Sequence, residues 1–181
     1  MRIIGGLKRG LKLISPTEGQ TRPTMDRTRE DIMNILQSGK FRGRLNGACV
    51  ADVFAGSGSV GLEMVSRGAV SCTFYESHNN ALKALNTNIK KFGIGRITVE
   101  KDALRPKTGT PYDIVFMDAP YNLNLTEKAF QTFLNASIIS NDTLVIIQVA
   151  KDEPIPEITP FTIIDERKMG GGKVAFLTVT S

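Results

Sequence analysis

The chain has 181 residues, 41% apolar and 23% charged, with 17 Gly, 8 Pro, 2 Cys, no Trp and a single His. That is enough apolar material for one globular core. No stretch approaches the roughly 18 uncharged apolar residues of a membrane span, and no apolar run with a cleavage site follows the first Met, so a cytoplasmic protein is expected.

The net charge of +5 is concentrated at one end of the chain. Residues 1 to 44 hold ten Lys/Arg against four Asp/Glu, and the remainder thirteen against fourteen. A localised basic arm suits a polyanionic partner. The opening segment, Met1 to Pro16, has two short Ile/Leu runs around a Gly- and Lys-rich turn and reads as a basic β-hairpin. Thr24 or Asp26 can cap a helix starting near Arg27, with Ile32, Ile35 and Leu36 on its apolar side and Gly39 as a stop. Arg2, Lys8, Arg9, Lys12 and Arg27, together with Arg22, Arg29, Arg42 and Arg44, are expected to contact phosphates.

From Ala48 the pattern alternates: strand 48–54, helix 59–67, strand 70–75, helix 78–91, strand 96–100, strand 112–117, helix 124–135 and strand 142–149. Such alternation means a largely parallel sheet with helices on both faces. Phe161–Ile164 and Val174–Val179, separated by Gly170–Gly172, read as a closing antiparallel hairpin. Cys49 and Cys72 each sit in an apolar strand and are expected to be reduced, buried thiols. With one histidine, His78, a His-rich metal centre is excluded and no metal is expected.

Asp52-Val-Phe-Ala-Gly-Ser-Gly-Ser-Val-Gly61 ends a strand and opens a helix, so its glycines let the backbone turn tightly and approach a ligand. The spacing alone admits a dinucleotide or S-adenosylmethionine (SAM), and Glu76 lies where a ribose-binding carboxylate is needed for either. Asp52 favours SAM, because a carboxylate there repels a pyrophosphate and attracts a sulfonium and an ammonium. Asp102, at a strand's carboxyl end, is expected to accept from an adenine amine. Asp118-Ala-Pro-Tyr121 follows the fourth strand: an acceptor side chain, a carbonyl in a proline-fixed turn and an aromatic ring. Such a group can grip an exocyclic amine, orient its lone pair and stack its base.

With these residues in view, the sequence resembles the RsmD-type 16S ribosomal RNA (guanine-N2)-methyltransferases, a branch of the class I SAM-dependent enzymes. The resemblance spans nearly the whole chain and rests on Arg2 to Gly10, Thr21 to Glu30, Asp52 to Gly58 and Asp118 to Tyr121. It implies a Rossmann-like α/β fold with a seven-stranded, mostly parallel sheet, helices on both faces, a C-terminal antiparallel hairpin, and an N-terminal basic hairpin plus helix. Residues 1–44 would be the RNA-contacting extension and 45–181 the methyltransferase domain. SAM would lie among Asp52, Phe54, Ala55, Gly56, Ser57, Gly58, Gly61, Glu76, Ser77, Asp102 and Ala103, with Arg22 and Thr24 over it, and Asp118, Ala119, Pro120 and Tyr121 would meet the target amine. The implied partner is ribosomal RNA, within an assembling small subunit, and the protein is expected to be a monomer.

The family motif is usually Asp/Asn-Pro-Pro-aromatic, whereas here Ala119 replaces the first proline. Its carbonyl is kept, and Pro120 still steers it from helical dihedrals. The change costs about 0.4 to 1 kcal/mol, mostly through unfolded-state entropy. Two alternatives stay open on sequence: a DNA adenine-N6 or cytosine-N4 methyltransferase, and a SAM-binding RNA assembly factor with little turnover.

Overall fold

The computed structural model describes residues 1–16, 26–120 and 124–179, and in it the apolar run Cys49–Val53 forms strand β1, an inner strand of a seven-stranded sheet. The other strands are β2 (Ser71–Tyr75), β3 (Arg96–Glu100), β4 (Ile114–Met117), β5 (Leu144–Ala150), β6 (Phe161–Met169) and β7 (Gly172–Val179). The helices are α1 (Asp26–Leu36), α2 (Ser59–Ser66), α3 (Asn79–Phe92) and α4 (Leu125–Asn135). The strand order is β3-β2-β1-β4-β5-β7-β6. Only β7 runs antiparallel to both its neighbours, and the first five strands are parallel.

Side chains alternate across the pleat and divide the core in two. Val50, Cys72, Phe74, Ile114, Phe116, Leu144, Ile146, Val174 and Phe176 face one side, against buried residues of α1, α2 and α3. Ala51, Val53, Val115, Met117, Val145 and Ile147 face the other, against Ala129, Phe130 and Phe133 of α4. Burying each large side chain contributes about 1.5–3 kcal/mol, which is what holds the helices to the sheet. Cys72 is buried as expected, but Cys49, at the first position of β1, is only half-buried.

The opening segment keeps a hairpin's pairing without its ladder. Ile3 N–H donates to Leu11 O (3.0 Å), Leu13 N–H to Met1 O (3.1 Å), and Arg2 bridges Lys12 antiparallel, while Gly6–Lys8 is a 3-10 turn. Tertiary contacts impose that turn: Gly6 has φ +73°, and a Cβ there would lie 1.8 Å from the Ser66 carbonyl oxygen. Ile3 and Leu13 are buried in the same cluster as Phe74.

At its outer edge β6 carries Asp165, Glu166, Arg167 and Lys168, and its register against β7 shifts between Ile163 and Asp165. Lys40 Nζ donates to Ile164 O (2.6 Å). Among the described residues no helix is long and apolar enough to cross a membrane.

Candidate active site

The strand order reverses between β1 and β4, the position where open α/β sheets bind ligands at their carboxyl ends. Val53 pairs with Met117, and Asp118 N–H donates to Val53 O at 3.4 Å, so the tips carrying the glycine loop and the Asp118 motif are side by side.

The loop leaves β1 through Phe54, whose φ of +63° is left-handed for a residue with a Cβ, a strain of about 1–3 kcal/mol. Gly58, φ +76°, then serves as N-cap of α2. A Cβ on it would lie 2.4 Å from Leu85 Cδ1, and one on Gly61 would lie 2.5 Å from Phe74 Cε1 and 2.6 Å from Cys72 Sγ. Glycine at 61 therefore lets α2 close onto β2. Two carboxylates fix the loop from beneath. Asp52 Oδ2 accepts from Gly61 N–H (2.8 Å), and Glu76 Oε2 accepts from Gly56 N–H (2.7 Å) while its Oε1 accepts from His78 N–H (2.7 Å).

Burial pushes the Asp52 carboxyl up to about 8; the Gly61 N–H opposes this, and the nearby charges of Asp118 and Glu76 add to it. This acidic crest fits a cationic ligand, because a sulfonium and an ammonium would offset both the desolvation and the mutual repulsion. Glu76 retains lone pairs beyond its two backbone bonds for ribose hydroxyls. The donor set thus matches SAM better than a pyrophosphate.

Of the other expected cofactor residues, Ala55 and Gly56 are half-buried, Ser57 and Ala103 are buried, and Ser77 is exposed. Asp102 stands just beyond β3, exposed, with Oδ1 accepting from Leu104 N–H (2.8 Å). Ala119 is buried and Pro120 exposed. Arg22, Thr24 and Tyr121 lie outside the described residues. Among the described residues no cluster of three His, Cys, Asp or Glu is placed to hold a metal ion.

A family model described as conserved hypothetical protein 95 matches residues 1–178. The chain is 32% identical to ribosomal RNA small subunit methyltransferase D of Haemophilus influenzae, over 94% of this chain and 89% of the relative, and 30% identical to the Escherichia coli K12 protein of that name, over 94% and 85%. The chain belongs to this family. The solved structure of Escherichia coli yhhF superposes on it with TM-score 0.84 at 28% identity, covering 99% of both chains. The fold is that of the class I SAM-dependent methyltransferases, and the family's cofactor is SAM.

The basic arm differs from expectation at one position. Arg2, Arg9, Lys12, Arg27, Arg42 and Arg44 are exposed and Lys8 is half-buried, but Arg29 is fully buried and unable to reach a phosphate. Its Nη2 donates to Arg2 O (2.7 Å) and to Asp26 Oδ1 (2.9 Å), and its Nε stands 3.6 Å from Glu63 Oε2. Glu63, itself fully buried on α2, also accepts from Ile4 N–H and Gly5 N–H (2.8 Å each) and pairs with Arg67 Nε at 2.7 Å. Ser66 Oγ accepts from Lys8 N–H, and Asn88 of α3 bonds both the N–H and the carbonyl of Ile14.

These fastenings were not expected, although a signal existed. Arg29 shares the helical stripe of Ile32, Met33 and Leu36, the face that packs inward.

Proposed function

We propose that the protein transfers a methyl group from SAM to the exocyclic N2 amine of a guanine in 16S ribosomal RNA of the small subunit. The observation that carries this reading is the adjacency of the Asp118 motif to the acidic, glycine-turned tip of β1. The relatives' names supply the RNA, and the motif supplies the amine.

When bound, SAM offers an electrophilic methyl carbon on a sulfonium. A guanine N2 is a weak nucleophile, since its lone pair is delocalised into the ring. The Asp118 carboxylate and the Ala119 carbonyl would accept its two hydrogens and turn the lone pair toward the methyl carbon. Asp118 would stabilise the positive charge that develops on the nitrogen as it is methylated and would receive the proton given up. Pro120 holds the turn, and Tyr121 stacks on the base. Asp52, Glu76, Asp102, Arg22 and Thr24 with the glycine loop hold the cofactor.

Arg2, Lys8, Arg9, Lys12 and Arg27, on the unit of residues 1–44, contact phosphates and bring a salt-dependent attraction without base selectivity. Lys8 and Arg9 sit by Ser66, at the opposite end of α2 from the glycine loop, so this contact extends away from the crevice. The base must leave its stack to reach Asp118, which is cheapest in a loop or an incompletely assembled particle. The protein would act there as a cytoplasmic monomer on residues 45–181 as the catalytic unit.

Nucleoside mass spectrometry of 16S RNA tests the reading. A strain lacking the protein should lose one N2-methylguanosine, wild type should restore it, and Asp118→Ala should fail to restore it while binding RNA with affinity within about twofold. An unchanged N2-methylguanosine inventory refutes the assignment, as does restoration by Asp118→Ala.

A further inference from the structure

The sheet face that carries Asp52 and Glu76 continues across the crest to a residue with no assigned part. Leu144 and Ile146 of β5 lie on that face, and Gln148 follows them by alternation. Met117 pairs with Ile147, so Gln148 is the residue of β5 in step with Asp118, one strand spacing of about 4.8 Å across the sheet. Along the crest the order is therefore Glu76, the glycine loop, Asp118 and Gln148. The cofactor-holding groups stand on one side of Asp118, and Gln148 stands on the other, where a base gripped by its amine must extend.

Gln148 is half-buried, and its Oε1, turned away from solvent, has no hydrogen-bond partner among the described residues. Several polar side chains in or beside the strands are paired, Asp52 with Gly61, Glu76 with Gly56 and His78, and Thr143 with the Tyr112 carbonyl, whereas His78 Nδ1 beyond β2 is unpartnered like Gln148 Oε1. Native interiors leave few such acceptors unmet, and those that remain call for an explanation in ligand or function.

The chemistry of an acceptor at this place is selective. Of the three bases with an exocyclic amine, guanine alone has a hydrogen on a ring nitrogen adjacent to the amine, at N1. Adenine N1 and cytosine N3 present lone pairs there, which an amide oxygen repels. We infer that Gln148 determines base specificity, its side-chain amide turning about its last bond so that Oε1 accepts the guanine N1–H while Asp118 holds the neighbouring N2 amine. The inference rests on the methylation reading above and adds the group that would make it specific for guanine.

The test uses the intact protein and RNA carrying the mapped guanine, or 2-aminopurine ligated at the same position. 2-Aminopurine keeps the 2-amine and lacks the N1 hydrogen. Wild type should prefer guanine by about tenfold or more, the scale of one hydrogen bond at a buried site. Gln148→Leu should lower kcat on guanine by about tenfold or more and erase the preference. Its KM for RNA should stay within about threefold, because phosphate contacts set docking, and its SAM affinity and melting temperature should hold. Gln148→Glu, which keeps an acceptor, should retain guanine turnover within about threefold.

If Gln148→Leu keeps kcat and the preference, the inference is overturned. It is overturned equally if the loss comes with weakened SAM binding or a lowered melting temperature. If wild type methylates no ribosomal RNA guanine, the underlying reading fails instead.

Discussion

Asp52 couples the protein's stability to pH in a direction opposite to that of most paired carboxylates. Burial raises its folded pKa to about 8 from 3.8. The folded protein thus holds a proton that the unfolded chain has released, and stability is fully present near pH 4 and lost as pH rises to about 8. One proton changes the unfolding free energy by at most about 1.4 kcal/mol per pH unit, or about 4 kcal/mol between pH 5 and 8. Asp52→Asn keeps an acceptor for Gly61 N–H and removes the titration. Urea unfolding of both proteins without SAM, from pH 4.5 to 8.5, should give a difference curve in which wild type loses about that much relative to the variant, then levels off. Cationic SAM favours the ionised carboxylate, so its affinity for wild type should rise toward pH 8. Calorimetry near pH 7 in buffers of different ionisation enthalpy should detect proton release that the variant lacks. A flat difference curve, or one rising with pH, refutes the reasoning.

Glu63→Ala removes the buried anion between Arg29, Arg67 and the Ile4 and Gly5 amides. It should cost about 3–5 kcal/mol, a fall of about 6–20 °C in melting temperature by scanning calorimetry; a change below about 2 °C would show the cluster to be energetically idle. Replacing the exposed Arg9 and Lys12 by Ala should weaken RNA binding and lower the slope of log K against log salt by about 1.5. An unaltered slope would place the phosphates elsewhere.

Much of the site was legible because its chemistry is local in sequence. The loop from Asp52 to Gly61, Glu76 one strand later and the Asp118 motif each follow an apolar strand, and strand-end residues converge wherever parallel strands pair. Less local features were not legible. The β6 strand extends from the expected Phe161–Ile164 to Met169, because pairing with β7 carries a segment whose composition reads as loop. The charge of Arg29 suggests solvent, whereas its position on the α1 stripe and the buried Glu63 opposite determine its placement. Gln148 is one amide in an apolar strand with no motif to mark it; only the register beside Asp118 and its unmet oxygen distinguish it.

The outer margin of β6 has a consequence for life in crowded surroundings. A bare strand margin invites another chain to zip onto it, yet here two acids followed by two bases, a kink in the register and the Lys40 ammonium seated on a carbonyl obstruct such annexation. A protein proposed to work amid unfinished ribosomes, where half-folded polypeptides abound, would thereby resist being recruited into their tangles.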